Sequence, residues 1–390
     1  MGRFRDALAR DGLQAIAEIK RRSPSAGELR PDASPAEIAP AYERAGAAAV
    51  SVLVDERFGG TWDDLRAARS TASLPLLAKG FFSTEEHLRT ARDAGADAAL
   101  LLLRDLDDAT CAELMRFATS LGLDTLVEAH DAEELDRAIA LDAPVVGINA
   151  RDLSTFRIDR KRQLELVARV ARGRVVVAES GIHSRAQGAA AELAGADAIL
   201  VGSALMTAPD PAARLAELLS RPLVKVCGLT REEDVAAAAE AGADLAGFVL
   251  VPESPRAATE VLDVPETMLA VAVWVGEAGQ SQAHLDQVHP REEGKVRGRD
   301  AALLRDNDQV ATLLDLPWEG DDPEAYLEHW ERAAATEGRI LLAGRLGPDN
   351  VRAAIERVRP WAVDASSRLE AAPGIKDHAK VRAYVQAARS

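Results

Sequence analysis

Short apolar runs rich in β-branched residues alternate along the chain with longer segments of helical period that are rich in Ala, Leu, Glu and Arg. This alternation is typical of βα units built around a parallel sheet. Eight such units within about 220 residues predict a (β/α)8 barrel. The predicted strands of this first series are Ala15 to Lys20, Ala47 to Asp55, Leu74 to Lys79, Ala98 to Arg104, Thr125 to His130, Val145 to Arg151, Val175 to Ser180 and Ala198 to Leu205.

A second series of runs follows Arg221-Pro222, where the helix-ending pattern of "AGADAILVG" returns as "AEAGADLAGFVLV". An eighth strand near Lys295 to Leu304 is too polar for the pattern to define. We therefore predict an α/β protein of two tandem (β/α)8 TIM barrels, the second shortened, with domains 1–220 and 221–390 and a boundary at Ser220 to Pro222. The predicted strands of the second series are Val224 to Leu229, Leu245 to Val251, Leu269 to Val275, Leu285 to His289, Val310 to Leu314, Ile340 to Leu346 and Ala362 to Ser367.

Composition narrows the class of protein. With 390 residues, of which 47% are hydrophobic, the chain can bury two cores. The net charge of −16 opposes binding to nucleic acid or to an anionic membrane. Cys111 and Cys227 cannot form a disulfide framework, and neither a signal sequence nor an apolar run of membrane-spanning length is present. We expect a soluble cytoplasmic protein.

Polar side chains collect at the ends of the predicted first-half strands, where barrel enzymes carry their active sites. A lone Lys or Glu there is more often solvated or part of a structural ion pair, but several strand ends share the feature. Two lysines, an arginine and three carboxylates suit proton transfer on an anionic substrate. The small residues of "ESGI" and "LVGSAL" suit phosphate binding, or equally a close strand–helix contact. The polar residues are Glu18, Lys20, Lys79, Glu128, Asn149, Arg151, Glu179 and Ser180.

The first half resembles indole-3-glycerol phosphate synthase. Six stretches, "AEIKRRSPSAG", "LLAKGFF", "LVEAH", "GINARDL", "AESGI" and "ADAILVGSALM", occur in the order and at the spacing of that family and cover most of residues 12 to 210. The resemblance implies that this half closes and decarboxylates the anilino-deoxyribulose phosphate CdRP to indole-3-glycerol phosphate, releasing carbon dioxide and water.

The resemblance also implies roles for residues. Lys79 would be the general acid that protonates the carbonyl oxygen of the sugar, and Glu128 the general base of the later dehydration. Other members of the implied catalytic set, which position and balance these two groups, are Lys20, Glu18, Asn149 and Glu179. Implied substrate-binding residues are Ser23, Arg151 at the anthranilate end, and Ser180, Gly181, Gly202 and Ser203 around the phosphate.

Two features of the first half depart from the family. Gly80 follows the implied catalytic lysine, where the family has an acidic residue. About fourteen residues precede the first predicted strand, where the family has an additional helical segment that covers the substrate. Weaker substrate binding is the expected consequence.

The second half resembles phosphoribosylanthranilate isomerase across most of residues 223 to 385. The stretches that carry the resemblance are "VKVCGLT", "GFVLVPESPR", "LLD", "ILLAGRLGPDNV" and "VDASSRLEAAPGIKD". The resemblance implies an Amadori rearrangement that yields CdRP, with Cys227 as general base and Asp315 as general acid. Arg256 would hold the anthranilate carboxylate, because a guanidinium binds carboxylates in a bidentate manner.

The implied phosphate-binding positions of the second half contain two arginines. The family's glycine pair is Gly344-Arg345 here, and its Ser-Ser-Gly is Ser366-Ser367-Arg368. Loss of glycine can block the close backbone approach of a phosphate. Arginine can also bind phosphate directly. The sequence leaves open whether these substitutions repair or inactivate the site.

Two longer stretches also depart from the isomerase family. "LPWEGDDPEAYLEHW" replaces the glycine-rich loop after the implied catalytic aspartate. "QVHPREEGKVRGR" replaces the family's Gln-Leu-His-Gly turn, and we interpret its charges as a solvated loop without chemistry.

The sequence is best explained as a bifunctional tryptophan-biosynthesis enzyme, a carboxy-lyase joined to an intramolecular isomerase that makes its substrate. We expect no metal and no organic cofactor, and partners limited to small anthranilate-sugar phosphates, with the oligomeric state open. The alternatives are a synthase with a degenerate isomerase half, or a working isomerase behind an impaired synthase. A different class is a non-catalytic second barrel that binds phosphate through Arg345 and Arg368.

Overall fold

The structure is a computed structural model that describes residues 2–23, 27–152, 155–171, 173–291, 300–316 and 323–390. Its Cα positions group into two compact units. One comprises Met1–His183 with Gly188–Leu219, and the other Ser184–Gln187 with Ser220–Ser390. The predicted extent of two separate domains, 1–220 and 221–390, stays a prediction, since compactness alone does not test independent folding.

The first unit contains a closed barrel of parallel strands, in the order β1-β10-β9-β8-β7-β6-β5-β4. All eight predicted strands are present, with ends that differ by a few residues. Strands of this part of the chain are β1 Gln14–Ile19, β2 Arg22–Ser23, β3 Gly27–Glu28, β4 Ala49–Leu53, β5 Leu76–Lys79, β6 Ala98–Leu102, β7 Asp124–Ala129, β8 Val145–Asn149, β9 Val175–Glu179 and β10 Ala198–Val201. Helices up to Leu219 are α1 Arg3–Leu8, α2 Pro35–Arg44, α3 Trp62–Thr71, α4 Glu85–Asp93, α5 Asp108–Ser120, α6 Ala132–Ala140, α7 Arg160–Arg169, α8 Arg185–Ala194, α9 Ser203–Met206 and α10 Pro211–Leu219.

Both faces of each barrel strand are buried, which explains why the strands are continuous apolar runs in the sequence. Alternate residues such as Ile16, Leu126 and Val177 form one cluster inside the barrel. The intervening residues join a larger cluster with the surrounding helices. Because side chains alternate between the faces of a strand, one apolar run supplies both cores.

Helix α1 packs across the N-terminal end of the first barrel. Phe4 and Leu8 are fully buried and belong to the cluster inside the barrel. The backbone N–H groups of Phe4 and Arg5 donate to Asp124 Oδ2, at 3.1 and 3.0 Å, at the start of β7. The short segment before β1 therefore closes the end of the barrel that lies opposite the carboxyl ends of the strands.

The second unit also contains a closed barrel of eight strands, in the order β11-β12-β13-β14-β15-β16-β17-β18. Its strands are β11 Leu223–Cys227, β12 Leu245–Val249, β13 Leu269–Val275, β14 Leu285–His289, β15 Ala301–Arg305, β16 Asp308–Leu314, β17 Ile340–Leu342 and β18 Ala362–Ala365, with the hairpin β19 Glu370–Ala372 and β20 Ile375–Lys376 outside it. Its helices are α11 Glu232–Glu240, α12 Pro323–Ala334, α13 Val351–Val358 and α14 His378–Arg389. The two-barrel prediction is confirmed.

One strand of the second barrel runs against the others. β15, which falls in the region of the uncertain eighth strand, is antiparallel to both β14 and β16; residues 295–299 of that region lie outside the described residues. Asp306 and Asn307, both in the left-handed region with φ of 52° and 70°, connect β15 to β16. A two-residue turn of this kind closes a hairpin, whereas a parallel connection needs a crossover of a dozen or more residues. In the second barrel a hairpin thus takes the place of a helical crossover between β15 and β16, and β12, β13 and β14 also follow one another without a helix between them.

Phe4→Ala should destabilise the first barrel, because it removes a fully buried ring from the interior cluster. The expected loss is about 3 to 5 kcal/mol of unfolding free energy. Urea unfolding followed by circular dichroism measures the loss, with the exposed Arg10→Ala as the control for a change near the N-terminus. Equal midpoints for the two variants would contradict the packing role of α1.

Candidate active sites of the two barrels

A cavity of about 140 Å³ opens at the carboxyl ends of the first barrel's strands. Residues predicted from the sequence supply about half of its wall, and the rest is mainly apolar. The predicted members are Glu18, Lys20, Lys79, Glu128, Asn149, Arg151, Ser180, Gly181, Gly202 and Ser203. Ser23 lies in the small hairpin strand β2 and is not part of this wall as the described residues form it.

The ammonium group of Lys79 lies among three buried carboxylates. Its Nζ is 3.8 Å from Glu18 Oε2 and 3.6 Å from Glu128 Oε2, and it forms an ion pair with Glu179 Oε2. Lys20 Nζ lies 2.7 Å from Glu18 Oε1. Four strands, β1, β5, β7 and β9, thus deliver one charge cluster to the cavity.

The environment separates the proton affinities of this cluster. Burial alone would lower the pKa of Lys79, but the carboxylates of Glu179, Glu128 and Glu18 outweigh it and raise this pKa. Burial would raise the pKa of Glu128, but the charges of Lys79 and His130 outweigh it and lower that pKa. Burial and the charge of Glu128 raise the pKa of Glu179 to about 8, against the effect of Lys79. At neutral pH the lysine therefore holds its proton and Glu128 is ionised.

The two oxygens of Glu128 differ in their contacts. Oε1 accepts a hydrogen bond of 2.9 Å from Asn149 Nδ2, and Asn149 Oδ1 in turn accepts one of 2.9 Å from the Arg151 backbone N–H. Oε2 is buried without a hydrogen-bond donor among the described residues. A buried acceptor without a donor is costly, and Oε2 is thus the oxygen able to receive a proton from a ligand.

Glycines leave room for the buried carboxylates. A Cβ at Gly147 would lie 2.2 Å from Glu179 Oε1, and a Cβ at Gly202 would lie 2.3 Å from Glu18 Oε1. Side chains at either position would displace a carboxylate of the cluster. The sequence analysis gave Gly147 no role, although its place in "GINARDL" was the available signal.

Gly80 is required by aromatic packing. A Cβ there would lie 2.8 Å from Phe82 Cε1 and 3.2 Å from Val54 Cγ2. Phe82 is buried and stacks on Trp62 with ring centroids 5.7 Å apart. An acidic side chain at position 80 would therefore have to displace this packing.

An apolar wall of the cavity was missed by the sequence analysis. Phe58 and Phe81 both line the cavity, with nearly parallel rings whose centroids are 6.4 Å apart. The Arg57 guanidinium carbon lies 3.7 Å from the centroid of the Phe81 ring. Such a wall suits a flat aromatic ligand. The adjacent phenylalanines of "LLAKGFF" were the only signal.

In the second barrel, Cys227 ends strand β11 above a buried polar network. Lys225 Nζ is fully buried and donates to Gln287 Oε1 at 2.8 Å and to Asp364 Oδ2 at 3.0 Å. Burial raises the pKa of Cys227, although the charges of Lys225 and Lys376 oppose the shift. The side chain is therefore a neutral thiol at neutral pH.

Asp315 lies at the same end of the second barrel as Cys227. It directly follows β16 and is 9% exposed. Going around the barrel, the strands β16, β17, β18 and β11 lie side by side and parallel, so their carboxyl ends meet at one rim. The structure thus brings the implied base and acid to one face.

Arg256 forms a bidentate ion pair with Glu370. Its Nε lies 2.8 Å from Glu370 Oε1 and its Nη2 2.9 Å from Glu370 Oε2, and Lys376 Nζ donates to Glu370 Oε1 at 3.0 Å. A Cβ at Gly228, next to Cys227, would lie 3.0 Å from Arg256 Cδ. Two cations share one carboxylate here, which leaves a net positive charge beside Cys227. The sequence analysis missed Glu370 and Lys376.

The implied phosphate residues lie after β17 and β18. Arg345 adopts a left-handed φ of 53°, and its carbonyl accepts a 3.2 Å hydrogen bond from Arg368 Nη1. Arg368 Nη2 also donates to Asp349 Oδ2 at 2.8 Å. Gly344, at φ 98°, lies so close to the backbone of Leu316 that a Cβ would be 2.6 Å from its nitrogen. The remaining residues of this group are Ser366, whose Oγ is buried, and Ser367, which starts a short 3-10 helix.

The stretch from Gln287 to Arg299 divides into two parts. Gln287 and His289 belong to β14 and are buried, with Gln287 Nε2 2.7 Å from His289 Nε2. Residues 292–299, which carry most of its charges, lie outside the described residues. Residues 317–322 of the loop after Asp315 also lie outside them.

No group of three or more His, Cys, Asp or Glu side chains in the described ranges is arranged to hold a metal ion. The expectation that both reactions proceed without metal or organic cofactor remains a prediction. None of the helices in the described part of the chain combines the length and apolarity needed to cross a bilayer.

Comparison with known families matches each half separately. Residues 2–218 match the family described as indole-3-glycerol phosphate synthase, and residues 303–387 match N-(5'phosphoribosyl)anthranilate isomerase. The tryptophan biosynthesis protein TrpCF of Yersinia pestis is 36% identical, with 99% of this chain and 87% of that protein aligned. The indole-3-glycerol phosphate synthase of Aromatoleum aromaticum is 47% identical over 56% of this chain and 84% of its own length. Among solved structures, TrpF from Jonesia denitrificans is 32% identical, with 43% of this chain and 97% of that chain covered, at a TM-score of 0.35.

The similarity to the Yersinia pestis protein extends through both barrels. It favours two working halves over the alternative of a synthase with a non-catalytic second barrel. The prediction of a tryptophan-biosynthesis enzyme, a decarboxylating lyase joined to an isomerase, is confirmed at this level. The chain belongs to the family of bifunctional proteins that join an N-terminal indole-3-glycerol phosphate synthase to a C-terminal phosphoribosylanthranilate isomerase.

Proposed function

We propose that Lys79 and Glu128 are the general acid and general base with which the first barrel converts CdRP to indole-3-glycerol phosphate. The observation that carries the proposal is the buried cluster in which Lys79 Nζ lies 3.6 Å from Glu128 Oε2 at the cavity wall. One group holds a proton and the other can take one, within a few ångströms of the same ligand atoms. Proton transfer of this kind is effective only at such short range.

The proposed reaction follows from these two protonation states. The ring carbon of the anthranilate that bears the carboxylate attacks the ketone carbon of the sugar chain, and Lys79 protonates the ketone oxygen as it becomes a hydroxyl. Loss of carbon dioxide leaves its electron pair in the ring. Glu128 then removes a proton from the sugar carbon bonded to nitrogen. The hydroxyl takes a second proton from Lys79, which solvent has reprotonated, and departs as water, and this forms the indole double bond. An alkoxide is more basic than the amine that remains when Lys79 gives up its proton, so the raised pKa of Lys79 does not prevent the first transfer.

The other groups of the cavity would hold the two ends of the substrate. The wall of Phe58 and Phe81 suits the anthranilate ring, and Arg151 suits its carboxylate. Lys20, beside the glycine and serine of Gly202-Ser203, supplies positive charge for the phosphate. Holding both ends brings the attacking carbon to the ketone, which is the main requirement of a ring closure.

For the second barrel we propose that Asp315 protonates the ring oxygen of the aminosugar and Cys227 removes the proton from C2. Ring opening by Asp315 produces an iminium cation, and its positive charge acidifies the C2–H bond. The same charge beside the sulfur favours the thiolate at the step that needs a base. This order is consistent with a thiol whose pKa is raised by burial in the empty site.

Arg256 and the two phosphate-side arginines would complete the isomerase site. The net positive charge of the Arg256, Lys376 and Glu370 group suits the anthranilate carboxylate. Arg345 and Arg368 suit the phosphate in place of the glycine backbone of the family. The serines at 366 and 367 lie beside them.

The direct test pairs Glu128→Gln with Cys227→Ala in the full chain. Glu128→Gln should lower synthase turnover of CdRP about a thousandfold, because the amide cannot act as a base. Cys227→Ala should abolish conversion of phosphoribosylanthranilate. Each variant keeps the other barrel intact, so its second activity, followed by anthranilate and indole fluorescence, is the control for enzyme amount and assay conditions. Circular dichroism is the control for folding.

These isosteric or small changes are preferable to removing Lys79. Deleting one partner of a buried ion cluster costs about 3 to 5 kcal/mol of stability and would confuse folding with catalysis. Near-normal synthase turnover in Glu128→Gln would exclude Glu128 as the base. Near-normal isomerase turnover in Cys227→Ala would exclude Cys227.

Gly147→Ala should lower synthase kcat about tenfold or more. The new Cβ would occupy space 2.2 Å from Glu179 Oε1 and so displace a carboxylate that pairs with Lys79. Gly188→Ala is the matched control, because a Cβ in helix α8 would come no closer than 3.4 Å to Leu13. Steady-state kinetics on CdRP would show equal rates for the two variants if Gly147 had no such role.

Arg345→Gly should change stability and binding in opposite directions. Glycine relieves the left-handed backbone of residue 345 and should stabilise the second barrel by about 1 kcal/mol. Loss of a charged phosphate contact should raise KM for phosphoribosylanthranilate about tenfold. Thermal unfolding and isomerase kinetics measure both effects, and a lower KM would show that the arginine obstructs the site.

A further inference from the structure

His130 lies between two carboxylates at the carboxyl end of strand β7. Its Nε2 is 3.1 Å from Glu128 Oε1, and its Nδ1 is 3.0 Å from Glu134 Oε2. The side chain is 13% exposed. The sequence analysis quoted this histidine within "LVEAH" but assigned it no role.

Glu134 is itself held in place. Its Oε2 also accepts a 2.8 Å hydrogen bond from the His130 backbone N–H, and its own N–H donates to Asp131 Oδ1 at 2.9 Å. Asp131 is the N-cap of helix α6. The start of this helix therefore fixes the carboxylate that orients the imidazole ring.

The histidine lies behind Glu128 and outside the cavity wall. Glu128 lines the cavity, whereas neither His130 nor Glu134 is among the described residues that do. Burial would lower the pKa of His130, but Glu128 and Glu134 outweigh it and raise this pKa to about 10. An imidazolium therefore stands against Glu128 Oε1 at neutral pH.

The remaining groups around Glu128 come from three other strands. Asn149 of β8 donates to the same Oε1, Lys79 of β5 lies nearer to Oε2, and the charge of Glu128 raises the pKa of the buried Glu179 of β9. The two cations thus approach different oxygens of one carboxylate. Lys79 is committed to three carboxylates, whereas His130 serves Glu128 and Glu134.

We propose that His130 is a positioning residue of the synthase reaction, which acts through Glu128. Its charge adds to that of Lys79 in keeping Glu128 ionised, and its place at Oε1 leaves Oε2 as the oxygen that takes the substrate proton. Glu134 fixes the ring in this orientation. The inference rests on the proposed role of Glu128 as the base.

The test measures kcat/KM for CdRP as a function of pH, in the full chain, for His130→Gln and for the parent protein. The ratio of the variant's kcat/KM to that of the parent is then followed with pH. Glutamine keeps a hydrogen-bonding side chain but carries no charge, so the pKa of Glu128 should rise by about 1 to 3 units. The ratio should then fall about twofold between about pH 7 and about pH 4, because Glu128 becomes partly protonated in the variant at a pH where the parent protein keeps it ionised. A purely structural role would lower the ratio by one factor at every pH.

Glu134→Gln provides a second test that does not touch the ring or Glu128. It should produce a smaller fall of the ratio in the same direction, because the imidazole ring loses the carboxylate that holds it against Glu128 Oε1. Circular dichroism and the urea unfolding midpoint of each variant report whether the first barrel is folded. If His130→Gln fails to fold, a flat ratio for Glu134→Gln overturns the proposal.

The Glu128→Gln variant distinguishes failure of the proposal for His130 from failure of the proposal that Glu128 is the base. An inactive Glu128→Gln together with a flat ratio for His130→Gln would overturn the role of His130 and leave the base assignment standing. An active Glu128→Gln would remove the base assignment itself, and with it the proposal for His130.

Discussion

The first active site depends on one constraint: the Lys79 ammonium must share a buried space with three carboxylates. Two opposing effects determine which groups of this cluster are charged. Burial opposes every charge in it, and only the proximity of opposite charges makes ionisation favourable. No single member keeps its protonation state alone. Strands β1, β5, β7 and β9 must therefore reach the same depth at the rim, and the closed barrel provides that registration.

The small residues around the cluster follow from the same constraint. Carboxylates pack against one another only where neighbouring strands carry no side chain, and Gly147 and Gly202 provide those gaps. Gly80 serves a different purpose, since it admits the ring of Phe82 rather than a charge. Its departure from the family is thus linked to the aromatic packing of Phe82 on Trp62. The missing acidic residue leaves Lys79 with three carboxylates at ion-pair distance.

Much of this arrangement could be predicted because it follows from local patterns of the sequence. Apolar runs with charged ends located the strands of both barrels, and a parallel barrel brings those ends together. The direction of β15 was not predictable in this way, because it depends on the left-handed turn at Asp306 and Asn307, which the polar sequence there does not distinguish from a loop. Pairings between distant residues, such as Arg256 with Glu370, also leave no periodic signal. The proposed role of His130 could not be predicted for a related reason, because it depends on a contact with Glu134, four residues later in the chain.

In each barrel the proposed proton-transfer groups lie at the carboxyl ends of its own strands, but their protonation states differ. In the first, a lysine is surrounded by carboxylates at the cavity wall, so that both an acid and a base are charged before substrate binds. In the second, burial raises the pKa of Cys227 by more than the charge of Lys225, which also donates to Gln287 and Asp364, lowers it, so the thiol keeps its proton. The difference matches the chemistry expected of each half. Ring closure of a neutral ketone needs a proton donor at once, whereas the isomerisation needs its base only after ring opening has created a cation next to the C2–H bond.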